Sequence, residues 1–146
     1  MNKMKLLISA CLLGENCKYN GGNNHIPQIE LLKEKYELIP ICPEKFGGLP
    51  TPREPSEICD EKVINKIGED VTLAFKNGAD AALYIALENN CDVCILKERS
   101  PSCGVNFIYD GSFSNKIVEG SGITATLLRE HGFDLYTEED IENLIN

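Results

Sequence analysis

The sequence predicts an α/β fold, a three-layer Rossmann-like domain on a mostly parallel sheet of strand order about 2-1-3-4, with a small β-hairpin after Cys103. Three observations predict it. Short apolar runs at Leu6–Ala10, Leu38–Ile41 and Val93–Leu96 alternate with stretches of helical periodicity. Each run leads, directly or through a polar turn, to a cysteine: Cys11, Cys42 and Cys103. Pro40 in the second run cannot donate to a sheet ladder, which puts that strand at an edge and the switch point between the first and third strands. In an open parallel sheet the carboxyl ends of the strands share one rim, where such folds bind ligands. The three thiols can therefore meet, and they are read as ligands of one metal centre.

A length of 146 residues suits one domain, 1–146, with room for a real core. The opening Met1-Asn2-Lys3-Met4-Lys5 leads into an apolar run too short for a signal peptide or a membrane span, so a soluble, cytoplasmic protein is expected. Seven cysteines without an export signal argue for reduced thiols, metal ligation or thiol chemistry over a disulfide scaffold. A formal charge of −9 speaks against a large phosphate-backbone footprint, so a small-molecule partner is expected, with neither nucleic acid nor membrane. Against that acidic total, Lys18, Lys45, Arg53, Lys97 and Arg99 cluster near the three strand ends, where positive potential lowers thiolate pKa.

In chain order, the Gly- and Asn-rich stretch from Leu12 to Asn24 is a long loop leaving the rim at Cys11. Cys17 within it is a candidate fourth ligand, but the spacing is weak and it is not assigned as one. Ile29, Leu32, Lys33 and Tyr36 mark a short amphipathic helix before the Tyr36–Cys42 strand. Four prolines and two glycines between Cys42 and Pro55 predict an irregular, rigid loop over the rim, holding Glu44 two residues from a cysteine.

From about Ile58 to Leu87 one long helix is expected, with Ile67, Val71, Ala74, Phe75, Ala79, Ala82, Leu83, Ala86 and Leu87 on one apolar stripe. Cys91-Asp92-Val93-Cys94 has CxxC spacing but begins a strand, the wrong end for a low-pKa redox pair, so both are read as small core residues. Phe107–Phe113 carries an Asp110-Gly111 centre suited to a tight hairpin. Gly120-Ser121-Gly122 opens a helix from Ile123 to about His131, with Ser121 as the expected N-cap. Phe133–Tyr136 makes the fourth strand and Glu138–Ile145 a terminal helix.

Four ordered motifs carry a resemblance. Ser9-Ala10-Cys11-Leu12-Leu13-Gly14, Tyr19-Asn20-Gly21-Gly22, Cys42-Pro43-Glu44 with Gly47-Gly48-Leu49 and Pro52-Arg53, and Ser100-Pro101-Ser102-Cys103-Gly104 resemble the motif set of the thiouracil desulfidase family, almost end to end. The resemblance implies a 4Fe-4S cluster on Cys11, Cys42 and Cys103, with the fourth iron open to the sulfur of a thiolated pyrimidine. Desulfuration needs protons to move, so Glu44, two residues from a ligand, is the expected acid or base and Ser102 offers a hydroxyl beside Cys103, with Asn20 and Arg53 expected to bind substrate. At Asn20 this chain departs from the aspartate usual in the family. Two rivals remain: a zinc domain using the same three thiols plus Cys17 or Glu44, and a thiol-disulfide protein acting through Cys91 and Cys94.

Overall fold

A computed structural model of the chain describes residues 3–145; Met1, Asn2 and Asn146, the ends of the expected 1–146 domain, lie outside the described residues. The central sheet has four parallel strands, β1 (Met4–Ser9), β2 (Tyr36–Ile41), β5 (Val93–Leu96) and β8 (Asp134–Thr137), in the order β2-β1-β5-β8. This is the expected 2-1-3-4 order, with the Pro40 strand at an edge. Register aligns Ser9 with Ile41 and Ile8 with Ile95, so β1, β2 and β5 end close to one rim.

Central β1 contributes to both faces of the sheet, and Leu6, Leu7 and Ile8 are fully buried. Leu7, Cys94 and Leu96 point to one side and pack with Ala82 and Ala86 of α3 (Thr72–Glu88) and Ala125 and Leu128 of α4 (Ile123–Glu130). Leu6, Ile8 and Ile95 point to the other and pack with Ile29 and Leu32 of α1 (Ile29–Lys35) and Ile141 and Leu144 of α5 (Ile141–Ile145). The two-residue period of a strand thus distributes one apolar run between two helix layers. A 3-10 turn at Glu138–Asp140 precedes α5 and carries a capping box between Thr137 and Asp140.

Several local expectations are corrected. The helix expected from Ile58 begins only at Thr72, because Ser56–Cys59 (β3) and Lys62–Asn65 (β4) form an antiparallel hairpin instead. Asp60 and Glu61 turn it with φ of 48° and 68°, a two-residue turn with both residues left-handed and no glycine to announce it. Of the residues counted on the helical stripe, Ile67 lies exposed ahead of the helix, and Leu87, in its last turn, is exposed as well. The proline-rich segment contains one regular turn, α2 (Pro43–Phe46), with Pro43 in the first turn where a missing N–H costs nothing.

The hairpin after Cys103 pairs β6 (Phe107–Tyr109) with β7 (Ile117–Glu119), across a loop from residue 110 to 116 longer than the expected tight turn. Helix α4 is N-capped by Gly122, not Ser121. Ser121 Oγ donates instead to the Val105 carbonyl and accepts from Arg129. Among the described residues no helix is long and apolar enough to cross a membrane.

Candidate active site

Three strand ends build the site. β1 runs into a 3-10 turn, Ala10–Leu13, which presents the half-buried Cys11 and is closed by Gly14 at φ 96°. The loop that follows doubles back on this turn: the Asn24 amide donates to the Cys11 carbonyl at 2.9 Å and Asn24 Nδ2 approaches Cys11 Sγ at 3.4 Å. Cys42 follows β2 as the N-cap of α2. That short helix is pressed onto α3 backbone to backbone, since a Cβ at Gly47 or Gly78 would come within 1.9 Å of the Ala74 or Pro43 carbonyl oxygen. Only glycine permits this approach.

Cys103 sits in the loop after β5, and Glu98 organises that loop. This side chain is only 3% exposed, yet Oε1 accepts backbone N–H groups of Arg99, Val105, Asn106 and Phe107 at 3.3, 2.8, 2.9 and 3.1 Å. Oε2 accepts Asn106 Nδ2 at 3.0 Å. Burial pushes the Glu98 carboxyl up, but these amides together outweigh it and hold the group below its ordinary value. Helix α4 closes the loop from the far side: the Ile123 amide donates to Pro101, and those of Thr124 and Ala125 donate to Ser102. The start of α4 is therefore spent on the cysteine loop and is no anion site. A Cβ at Gly122 would lie 2.5 Å from the Ser102 carbonyl, so this docking also requires glycine.

The three strand ends surround a cavity of about 480 Å³ lined by Cys11, Cys17, Cys42 and Cys103 together with Glu44, Arg53, Lys97 and Ser102. Inside it runs a hydrogen-bonded chain. Arg53 Nε donates to Glu44 Oε1 at 3.0 Å, and Ser102 Oγ donates to Glu44 Oε2 at 3.0 Å. Ser102 Oγ also lies 2.9 Å from Ser100 Oγ and 3.7 Å from Cys103 Sγ. With the Arg53 and Glu44 side chains only 7% and 14% exposed, this ion pair is shielded from the screening that weakens surface pairs. Lys97 pairs with Glu138 at 3.0 Å, and its amide donates to Ser9 Oγ.

The thiols divide electrostatically. Cys42 is held down at about 6 by the Cys17 thiol, by the Lys45 amide at the start of α2 and by Arg53. Cys11 is lowered by the Cys17 thiol first and then by Asn24 and Lys97, against its burial. Cys17, the thiol that lowers both, is itself raised. Burial pushes Cys103 up to about 12, opposed by the hydroxyls of Ser9 and Ser102. Iron held by thiolates requires deprotonated sulfur, and the surroundings of Cys11 and Cys42 shift both thiols in that direction.

The structure brings Cys11, Cys42, Cys103, Glu44, Ser102 and Arg53 together. Arg53 lines the cavity, with donors going to Glu44, the Pro50 and Cys17 carbonyls and Thr51 Oγ1. Asn20 does not line the cavity; its Oδ1 accepts the Gly22 amide and closes a local turn. Cys17 and Asn24 do line it and were not assigned from sequence. Their signal is present only as polar residues in a loop, and the doubling back that aims them inward involves contacts remote in sequence.

Neither Cys91 nor Cys94 lines the cavity. Both are buried in the α3/α4 layer and burial pushes them up to about 11 and about 12, the opposite of a redox pair. Among the described residues no three His, Cys, Asp or Glu side chains converge tightly enough to hold a single ion. Four thiols spread around a cavity suit a multi-iron group better than one zinc, whose ligands must all lie about 2.0–2.3 Å from the metal.

Comparison with known proteins agrees with this geometry. A model of the 2-thiouracil desulfurase family matches residues 6–140. A Bacillus subtilis (strain 168) protein described as uncharacterized protein YbbK is 40% identical over 150 residues, covering 96% of this chain and 99% of the relative. A solved structure, that of the 4Fe-4S-dependent thiouracil desulfidase TudS, superposes with a TM-score of 0.92 at 40% identity, covering 97% of this chain and 95% of that one. With the family model spanning the sheet, the cysteine rim and both hairpins, the chain belongs to the 2-thiouracil desulfurase family.

Proposed function

We propose that the protein is a desulfidase that converts a thiolated pyrimidine such as thiouracil, with water, to the oxo-pyrimidine and hydrogen sulfide. The reading rests on the family, on TudS being 4Fe-4S-dependent, and on three cysteines from three strand ends lining one cavity with a hydrogen-bonded Glu44–Ser102 pair. Cys11, Cys42 and Cys103 would hold a 4Fe-4S cluster, which supplies, when bound, an iron without a protein ligand to accept the thione sulfur.

The remaining work falls to this chain's own side chains. Glu44 lines the cavity, and its carboxylate takes the proton from a water that adds to the ring carbon bearing sulfur. Arg53 Nε grips Oε1 at 3.0 Å, so the carboxylate is presented in one orientation. As the carbon–sulfur bond breaks, the proton held by Glu44 passes through the Ser102 hydroxyl, 3.7 Å from Cys103 Sγ, to the departing sulfur, which takes its second proton from the new ring hydroxyl as that becomes the carbonyl. One water is consumed, one sulfide leaves as hydrogen sulfide, and no electrons are exchanged. Arg53 acts here as a positioning residue, and Asn20 shapes the loop at the cavity mouth.

The test is anaerobic turnover of 2-thiouracil in 18O-labelled water. Uracil and sulfide should form in equal amounts, with one labelled oxygen in the uracil. Release of sulfide without labelled uracil, or no turnover by cluster-loaded protein, would remove the assignment.

A further inference from the structure

Cys17 has no part in the three-ligand arrangement, yet its position is too specific for a spare loop residue. It lies six residues beyond Cys11, in the loop that doubles back, and is only 3% exposed. It lines the same cavity as Cys11 and Cys42, and its thiol is the largest influence that lowers both. Its backbone is fixed as well: Arg53 Nη2 donates to the Cys17 carbonyl at 2.8 Å, and Cys42 Sγ approaches the same oxygen at 3.8 Å. A lone buried thiol is ordinarily a small hydrophobe among apolar neighbours. Cys17 instead faces two other thiols across a cavity wall, and the apolar layers on either side of the sheet do not include it.

The arrangement is lopsided. Cys103, the third expected ligand, is approached by the hydroxyls of Ser9 and Ser102, with no thiol in hydrogen-bond contact. A thiol that lines the same cavity as two ligand sulfurs, with its own carbonyl 3.8 Å from one of them, needs only a side-chain rotation and a small backbone shift to reach the same iron. We propose that Cys17 is a stand-in ligand, taking the iron position of Cys11 or Cys42 when either lets go, while Cys103 has no substitute. In the exchange one iron–sulfur bond to Cys11 or Cys42 breaks and one to Cys17 forms. The Cys17 proton passes to the released thiolate, and no electron moves. The device suits a cluster that keeps one iron open inside a solvent-connected cavity, where ligand loss is the first step of decay.

The proposal rests on the cluster reading above, and the experiment separates the two. Anaerobic reconstitution with iron and sulfide is followed by assay of iron and acid-labile sulfide per chain, with alanine replacing cysteine because a serine oxygen can itself ligate iron. Wild type should load a full cluster; if it does not, the cluster reading falls and the stand-in falls with it. If wild type loads, Cys11→Ala and Cys42→Ala should keep most of the iron, Cys103→Ala should lose it, and adding Cys17→Ala to either of the first two should abolish loading. Loss in Cys11→Ala and Cys42→Ala as complete as in Cys103→Ala overturns the stand-in and leaves the cluster reading intact. Retention in the double variants overturns it too. Where far-UV circular dichroism shows that a ligand variant has not folded, the loaded Cys17→Ala chain decides: it should release iron to a chelator about threefold faster than wild type or more. An unchanged release rate overturns the proposal.

Discussion

Glu98→Gln isolates the forces that shape the Cys103 loop without touching a thiol. One carboxylate accepts four backbone amides and the Asn106 side chain. Hydrogen bonds to a charged acceptor contribute roughly 1.5–3 kcal/mol, against about 0.5–1.5 for neutral ones. Gln keeps an oxygen for the amides but lacks the charge, and its NH2 group meets Asn106 Nδ2 unless that amide turns over. Shared acceptor sites do not add, so the expected loss is about 3 kcal/mol. For a chain of this size that lowers Tm by about 6–12 °C.

The pH dependence follows from the direction of the shift. The folded-state carboxyl is held below its ordinary 4.5, so its contribution is complete above that value and is lost as pH falls through the folded-state pKa. Denaturant unfolding of the metal-free wild type and variant between pH 7 and 3 should therefore show a gap that narrows toward acid. A gap under about 1 kcal/mol, or one that stays constant to pH 3, would refute the role given to Glu98.

Glu44→Gln should leave cluster loading intact yet cut 2-thiouracil turnover by about a hundredfold or more, as expected for a positioned acid–base group. Full activity with a lowered Tm would show that Glu44 only braces its loop. Ser102→Ala should load normally and lose less activity, because the hydroxyl relays and orients without being the base. Gly78→Ala, which drives a Cβ onto the Pro43 carbonyl, should cost about 3 kcal/mol in denaturant unfolding by forcing α2 off α3. In the folded, metal-free protein at pH 7.5, iodoacetamide should modify Cys42 ahead of Cys94, whose thiols are held at about 6 and about 12. Peptide mapping that found Cys94 modified first would contradict the buried, structural place given to it.

The sheet was legible because its signals are local. Three apolar runs each deliver a cysteine at one end, and Pro40 alone places its strand at an edge, as β2 is. The buried place of Cys91 and Cys94 was also readable, from their position at the start of a strand. The β3–β4 hairpin was not, because Asp60 and Glu61 adopt left-handed backbone without glycine or asparagine, and the apolar residues around Ile58, Val63 and Ile67 fit a helical period as well as an alternating one. Within the site, the motif residues could be named, but their partners could not. The grip of Arg53 on Glu44 spans nine residues, that of Ser102 on Glu44 spans 58, and Cys17 meets Cys42 across 25. Such contacts are products of the fold, and no spacing within a loop encodes them.

The central claim, a cluster on Cys11, Cys42 and Cys103 that serves desulfuration, is tested most directly by purifying the protein without oxygen. Iron, acid-labile sulfide and the visible spectrum are then measured on the sample that is given 2-thiouracil. The account predicts a brown protein with iron and sulfide in equal amounts, filling one cluster per chain, and release of uracil and sulfide only while the colour persists. A colourless protein that carries zinc, takes up no iron on reconstitution and leaves 2-thiouracil unchanged would contradict it.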